Sequence, residues 1–342
     1  MKQKGKPVTV IAEVGVNHNG NFQSALRYIK AAKDAGADAV KFQLFTAEKL
    51  VTKDTKTANY QKMHTGNKKQ FDLLKKLEIS HKKMGLLQDY ASKIDIDFIC
   101  TPFDVDALNF LMQRKVSAIK FSSGDFDNLF MHEQIIKKKY PVILSSGMAD
   151  ENEIREVIKL YQLNNHLKVS LLHCVSAYPA NIELLNLNYI SRLSTIYPKI
   201  SIGFSDHSTE LVSGALSVMS GATIIEKHIT FSRNLPGPDH KASLTISDFK
   251  KYIINIRLAE IALGSGIKSI SKQELEIKKI ARKSLAYSRD LKKGSLISKK
   301  DLTSLRPNSG ISILKYAEVI DKELKIDVLK NTMVNYSDFK NL

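Results

Sequence analysis

Gly203-Phe204-Ser205-Asp206-His207-Ser208 and, shortly downstream, Ile224-Ile225-Glu226-Lys227-His228 have the same design. Each ends an apolar run with a histidine two residues after another polar group. Alternate residues of a strand share one face. Ser205 and His207 therefore point one way, as do Glu226 and His228. If the two runs are neighbouring strands, two imidazoles, a carboxylate and a hydroxyl converge, with Asp206 close by.

The same unit recurs outward along the chain. Short, apolar, β-branched runs over residues 8–14, 38–44, 96–100, 117–121, 141–144, 169–174, 200–204 and 222–228 predict strands. Helical periodicity follows each, over residues 22–36, 71–77 with 81–94, 105–114, 129–139, 151–163, 187–196, 211–221 and 246–263. Residues 46–70 read as irregular. Strands without polar alternation are buried on both faces, as in parallel sheets. Eight strand–helix units predict a (β/α)8 TIM barrel over residues 1–265. An open doubly wound sheet is the alternative, but no Gly-x-Gly-x-x-Gly follows the first strand. Residues 266–281 are polar and read as a linker. Residues 282–342 change pattern, with short strands expected at 284–287 and 296–297 around Lys292-Lys293-Gly294, and read as a small β-rich domain.

Composition narrows the function classes. The chain has 342 residues, 43% of them hydrophobic, and a formal charge of +17. The lysines are spread over expected outer helix faces and turns, with no basic stripe interleaved with aromatics. That pattern describes a solvated surface rather than a nucleic-acid interface. No apolar run approaches the ~18 residues of a membrane span, and the N-terminal stretch is a poor signal peptide. Cys100 and Cys174 lie far apart, each ending an apolar run, so no disulfide framework is expected and a reducing cytoplasm fits.

In a (β/α)8 barrel, chemistry sits at the C-terminal strand ends. In order these are Glu13; Lys41 and Gln43; Thr101; Lys120, Ser122 and Ser123; Ser145; His173 and Ser176; Ser205, Asp206 and His207; Glu226 and His228. All eight ends are polar or ionisable, which a purely structural barrel would not need. His207 and His228 are candidate ligands of an open divalent site, Mn2+ or Mg2+ rather than structural zinc; His173 reads as core or supporting. Lys41 and Lys120 interrupt apolar strands, and a buried ammonium needs a partner. Glu13 and Glu226 can be those counterions, proton-transfer groups, or both. The lysines can serve as a Schiff-base amine, as in class I aldolases, or as an anion clamp. The Ser122-Ser123-Gly124 and Ser145-Ser146-Gly147 turns favour the clamp, because they add hydroxyls and free N–H groups.

Several longer motifs resemble the sialic acid synthase family: Ile11-Ala12-Glu13-Val14-Gly15-Val16-Asn17-His18-Asn19-Gly20, Val40-Lys41-Phe42-Gln43, Thr101-Pro102-Phe103-Asp104, Leu144-Ser145-Ser146-Gly147-Met148, the two opening stretches, and Pro236-Gly237-Pro238-Asp239-His240-Lys241-Ala242-Ser243. Ala281-Arg282-Lys283-Ser284 and Arg306-Pro307 resemble that family's C-terminal antifreeze-like (SAF) domain. The resemblance implies a cytoplasmic enzyme, a domain-swapped homodimer, that condenses phosphoenolpyruvate with an N-acyl hexosamine. It implies manganese, with magnesium or cobalt as substitutes, on His207 and His228. It implies catalytic carboxylates at Glu13 and Glu226, and phosphoenolpyruvate contacts at Lys41, Thr101, Lys120, Ser123, Ser145 and Ser205. Sugar contacts are implied at Gln43, Asn67, Asp125, Tyr178 and Asp239, and at Arg306, which reaches into the partner subunit's site. Asp125 and Ser176 depart from residues found in some members. Ser176-Ala177-Tyr178-Pro179-Ala180 looks pseudaminic-type, whereas Val14-Gly15-Val16 and Asp239-His240-Lys241 look sialic- or legionaminic-type. The acceptor is thus N-acetylmannosamine or a 2,4-diacetamido-trideoxy hexose.

Overall fold

A computed structural model describes residues 7–57 and 69–340. The chain divides into two compact units, Met1–Gly264 and Ser265–Leu342. In the first, eight parallel strands close on themselves: β1 (Thr9–Gly15), β2 (Ala39–Leu44), β3 (Asp97–Pro102), β4 (Ala118–Phe121), β5 (Val142–Ser145), β6 (Val169–Cys174), β7 (Ser201–Asp206) and β8 (Ile224–Thr230). Each pairs with the next, and β1 also pairs with β8. A two-residue strand, β9 (Leu244–Thr245), pairs in parallel with the end of β8 and is too short to show in the hydrophobic pattern.

The helices between them are α1 (Phe22–Ala35), α2 (Ala47–Leu50), α3 (Gln70–Leu77), α4 (His81–Lys93), α5 (Val105–Gln113), α6 (Leu129–Lys138), α7 (Glu151–Leu163), α8 (Asn188–Ile196), α9 (Ser213–Met219) and α10 (Ile246–Leu263). Local chemistry sets their ends. The Asn21 side chain accepts from Ser24 N at α1, and Gly36 closes that helix at φ 94°. Asp150 and Glu153 form a capping box at α7. The short α2 lies within the stretch expected to be irregular.

Alternation along the strands builds the site. Inside the barrel, Ile11, Ala39, Ile99, Ala118, Ile143 and Leu172 form one buried apolar cluster, with Ile224 packed on it. Two residues further along the same strands stand Glu13, Lys41, Thr101, Lys120, Ser145, Cys174 and Glu226. On β7, Gly203 takes the apolar position. A Cβ there would meet Ile224 O at 2.3 Å and Leu172 Cδ2 at 2.5 Å, so only glycine fits. Ser205 is two residues on. A greasy plug thus closes the lower barrel, and a polar ring sits directly above it.

The second unit holds α11 (Lys272–Ala281), the antiparallel pair β10 (Ser284–Tyr287) and β11 (Leu302–Leu305), and α12 (Tyr316–Val319). Leu285, Tyr287, Ile297, Ile311, Val319, Leu324, Val334 and Phe339 make its core. Two expectations are corrected. The presumed linker contains α11, which starts in a Ser271–Glu274 capping box and buries no residue. Its polarity is that of a solvated helix. The strand expected at residues 296–297 is an isolated bridge from Leu296 to Glu323, and β10 pairs with β11 instead.

Outside the barrel wall, Asp206 and Lys227 form an ion pair at 2.9 Å with both side chains fully buried. Asp206 Oδ2 also accepts from Tyr252 Oη at 2.8 Å and Ser213 Oγ at 2.5 Å; its Oδ1 accepts from Ser208 N and Oγ. Burial opposes the Asp206 charge, but Lys227 and these hydroxyls outweigh it and lower its pKa. Removing one partner of such a pair strands the other charge. Lys227→Met is expected to cost about 3–5 kcal/mol in urea unfolding, with part restored by adding Asp206→Asn. A loss below about 1 kcal/mol would refute the structural role of the pair.

Candidate active site

The polar ring is an ion cluster. Lys41 Nζ lies 3.0 Å from Glu13 Oε2, 3.6 Å from Glu226 Oε2 and 3.2 Å from Thr101 Oγ1. Lys120 Nζ donates to Ser145 Oγ at 2.5 Å and Phe121 O at 3.0 Å, and lies 3.9 Å from Glu226 Oε1. Ser205 Oγ donates to Glu226 Oε1 at 2.9 Å, and Gln43 Nε2 to Glu13 Oε1 at 3.1 Å. All four charged groups are at least 96% buried. Strand register brings them together: Glu13 pairs with Lys41 across β1–β2, Glu13 with His228 across β1–β8, and Ser205 with Glu226 across β7–β8.

The two carboxylates are tuned apart. Burial raises the Glu13 pKa to about 7, against the opposing pull of Lys41, with Glu226 adding to the rise. Burial works the same way on Glu226, but Lys120 and Lys41 together outweigh it and bring the pKa down to about 2. Burial opposes the Lys41 charge too, yet the flanking Glu13 and Glu226 raise its pKa. Lys120 is lowered by burial, only partly offset by Glu226. Glu226 is thus a fixed anion, whereas Glu13 can exchange a proton near neutrality.

The imidazoles stand beside this cluster. Their ring centroids are 5.5 Å apart, and Tyr178 packs on His207 at 4.2 Å and edge-on to His228 at 6.1 Å. His207 Nδ1 donates to Val175 O at 2.8 Å, and although burial opposes its charge, neighbouring Cys174 outweighs this and raises its pKa. His228 Nδ1 is buried without a hydrogen-bond partner among the described residues, and Oε2 of Glu13 and of Glu226 face only Lys41. Burial holds His228 neutral, and neighbouring His207 reinforces this. Two buried imidazoles, one with an unpartnered Nδ1, beside the two carboxylates are a donor set that fits a divalent cation. Among the described residues no group of three or more His, Cys, Asp or Glu forms a metal cage. The set suits an ion completed by water or substrate oxygens.

The remaining candidates lie near these strand ends or elsewhere. Ser123 opens a 3-10 turn after β4, 3.7 Å from Cys174 Sγ. Asp125 accepts from Ser122 Oγ at 3.0 Å and Asn128 Nδ2 at 3.2 Å, and is half-buried. Asp239 is buried in the segment after β8. Arg306 is exposed in the second unit. Asn67 lies outside the described residues. His173 belongs to the packing between sheet and helices: Nε2 donates to Leu185 O, and the ring stacks on Phe204.

Asp206 is corrected. As the neighbour of Ser205 and His207 it faces the opposite side of the sheet, into the Lys227 pair, and takes no place among the converging groups. Cys174 is the residue that sequence reasoning missed. It is two residues past Leu172, in the polar ring, with Sγ 3.7 Å from His207 Nδ1. Its phase along β6 was the available signal. A separate cavity of about 580 Å3 opens at the other end of the barrel, beside the starts of β2 to β4, lined by Lys33, Asp38, Gln88, Asp97, Lys115 and Ser117. That end of a TIM barrel serves stability rather than chemistry, and the ion cluster is not there.

Comparison with known proteins places the whole chain in a family. Residues 28–268 match the NeuB family and residues 282–340 the SAF domain. The chain is 39% identical to an N,N'-diacetyllegionaminic acid synthase of Legionella pneumophila, over 97% of this chain and 95% of that one. It is 32% identical to a pseudaminic acid synthase of Campylobacter jejuni, over 98% and 97%. A crystal structure of an N-acetylneuraminic acid synthetase from Leptospira borgpetersenii, in complex with citrate, superposes with a TM-score of 0.71 at 35% identity, covering 80% of this chain and 90% of that one. Such full-length likeness identifies the chain as an enzyme, a synthase of the NeuB family whose C-terminal part is a SAF domain.

Proposed function

We propose that this nonulosonate-type synthase condenses phosphoenolpyruvate with an N-acyl hexosamine and water, giving a nine-carbon 2-keto acid sugar and phosphate. The single observation that carries the reading is the buried cluster of Lys41, Lys120, Glu13 and Glu226 beside two imidazoles at the C-terminal end of the barrel. The names of the relatives, a legionaminic and a pseudaminic acid synthase among them, support the product class.

Lys120, Ser145, Ser123 and Ser205 take the phosphate of phosphoenolpyruvate, and Lys41 with Thr101 takes its carboxylate. C3 of the enol attacks the aldehyde carbon of the open-chain sugar, a C–C bond forms, and C2 becomes electron-poor. A water adds at C2 and gives its proton to Glu13. That proton passes to the former aldehyde oxygen. The C2–O bond to phosphate then breaks; its electron pair leaves with the phosphate, which also takes the proton of the C2 hydroxyl as C2 becomes the keto carbon. Glu226 stays ionised and stabilises positive charge at C2. His207 and His228 would hold the manganese expected at the site. When bound, such an ion polarises the aldehyde and offsets the donor's negative charge. Gln43, Asp125, Tyr178 and Asp239 contact the sugar, and Arg306 of the partner subunit completes the pocket in a domain-swapped dimer.

The Schiff-base alternative is disfavoured at Lys41, whose two carboxylates hold it protonated and un-nucleophilic. The acceptor is read as 2,4-diacetamido-trideoxy rather than N-acetylmannosamine. The support is the 39% identity to the legionaminic acid synthase.

Three measurements test these statements. Phosphate release from phosphoenolpyruvate is expected with a 2,4-diacetamido-trideoxy hexose and to be at least about tenfold slower with N-acetylmannosamine; no sugar-dependent release at all would end the synthase reading. Exhaustive chelation should abolish turnover and added Mn2+ restore it, whereas full activity in chelator would remove the metal. Lys120→Met should raise the KM for phosphoenolpyruvate about 10- to 100-fold, by loss of a charge-assisted contact; unchanged KM and kcat would take Lys120 out of the clamp.

A further inference from the structure

Sequence motif Asn17-His18-Asn19-Gly20 follows β1, yet the chemistry above uses none of it. Its amides are committed to the end of β8 and the 231–243 segment that follows it. Asn17 Nδ2 donates to Ile229 O and to Ser243 Oγ, both at 2.9 Å. Ser243 Oγ in turn donates to the backbone carbonyl of Asp239 at 2.7 Å. Asn19 Nδ2 donates to Pro236 O at 2.8 Å and lies 3.3 Å from His240 Nε2.

The polarity of this network follows from its far end. Thr230 Oγ1 donates to Ser232 O at 2.9 Å, so its oxygen accepts from His240 Nδ1 at 2.8 Å. His240 is therefore the Nδ1–H tautomer, and its free Nε2 lone pair accepts from Asn19. Asn19 thus uses both amide protons on this segment, while Asn17 divides its two between Ile229 at the end of β8 and Ser243. Gly237, at φ 150°, lies so close that a Cβ would meet His240 Cδ2 at 2.7 Å and Asn19 Oδ1 at 2.8 Å. The grip spans Pro236 to Ser243, with Asp239 in its middle.

We infer that Asn17 and Asn19 are positioning residues: through Pro236, His240 and Ser243 they hold Asp239 where the acceptor sugar binds. The inference rests on the reading of Asp239 as an acceptor contact. It assigns specificity work to the loop after β1, on the strand that also carries Glu13. A single sequence stretch then couples the proton-transfer carboxylate to the sugar end of the site.

Asn19 is exposed, so Asn19→Ala leaves the core untouched. The expected result is a rise of about tenfold in KM for the acceptor, with KM for phosphoenolpyruvate within twofold of the parent. Ser243→Ala, which cuts the Asn17 arm, should act the same way. In the Asp239→Ala background, Asn19→Ala should add nothing to the acceptor KM, because its effect passes through Asp239. Equal rises in both KM values, an unchanged acceptor KM, or multiplying effects in the double variant would each overturn the inference while leaving the acceptor reading intact. If Asp239→Ala itself leaves the acceptor KM unchanged, the acceptor reading falls and the inference with it.

Discussion

Two ammonium groups inside a barrel are the constraint on which the rest depends. Lys41 and Lys120 are almost wholly removed from water. Neither charge is tolerable there alone. Glu13 and Glu226 make them tolerable, and the balance is uneven. Glu226 lies near both lysines and stays ionised, whereas Glu13 is paired with one and sits near neutrality. One electrostatic arrangement therefore supplies anion-binding charge, a fixed negative group and a proton carrier. Glu226 and, when ionised, Glu13 already balance much of the ammonium charge, so an acidic substrate would bring negative charge that the cluster compensates only in part. His207 and His228 at the rim supply nitrogen donors suited to a cation that would offset it.

The barrel can carry this cluster because its lower half is dry. The apolar ring from Ile11 to Leu172, sealed at Gly203 by direct contact of backbone and side chains, gives the polar ring a solid floor. Strand alternation then puts a chemical group on each strand two residues higher. The opposite phase of the same strands faces the helices. There Asp206 and Lys227, neighbours in sequence of Ser205, His207, Glu226 and His228, bond to each other and to Tyr252. Paired charges on both sides of β7 and β8 hold their register, which is the register that aligns Ser205 with Glu226.

Much of this was legible in the chain. The β-branched runs and capped helices placed most elements within a residue or two. The motifs placed Glu13, Lys41, Lys120, His207 and His228 at strand ends. The errors have physical causes. Asp206 reads as part of the site because adjacency in sequence hides the inversion of face between consecutive strand residues. Cys174 was read only for its redox environment, although its phase on β6 aims it at His207. The helix Lys272–Ala281 reads as a linker in sequence because it lacks an apolar face, and a solvated helix shows itself only through its capping box. In the second unit, strands of four residues carry too little pattern to reveal their partners.

By itself the sequence determined the number and order of strand–helix units, the polar residue at each strand end and the family-like motifs, because periodicity and local capping are properties of neighbouring residues. Only the tertiary structure decided which groups meet. Closure of β1 onto β8 brings Glu13 opposite His228. Packing between strands sets which carboxylate neighbours one lysine and which two. Burial then separates their proton affinities. Those outcomes depend on distances and solvent exclusion between residues far apart in the chain, which no local pattern encodes.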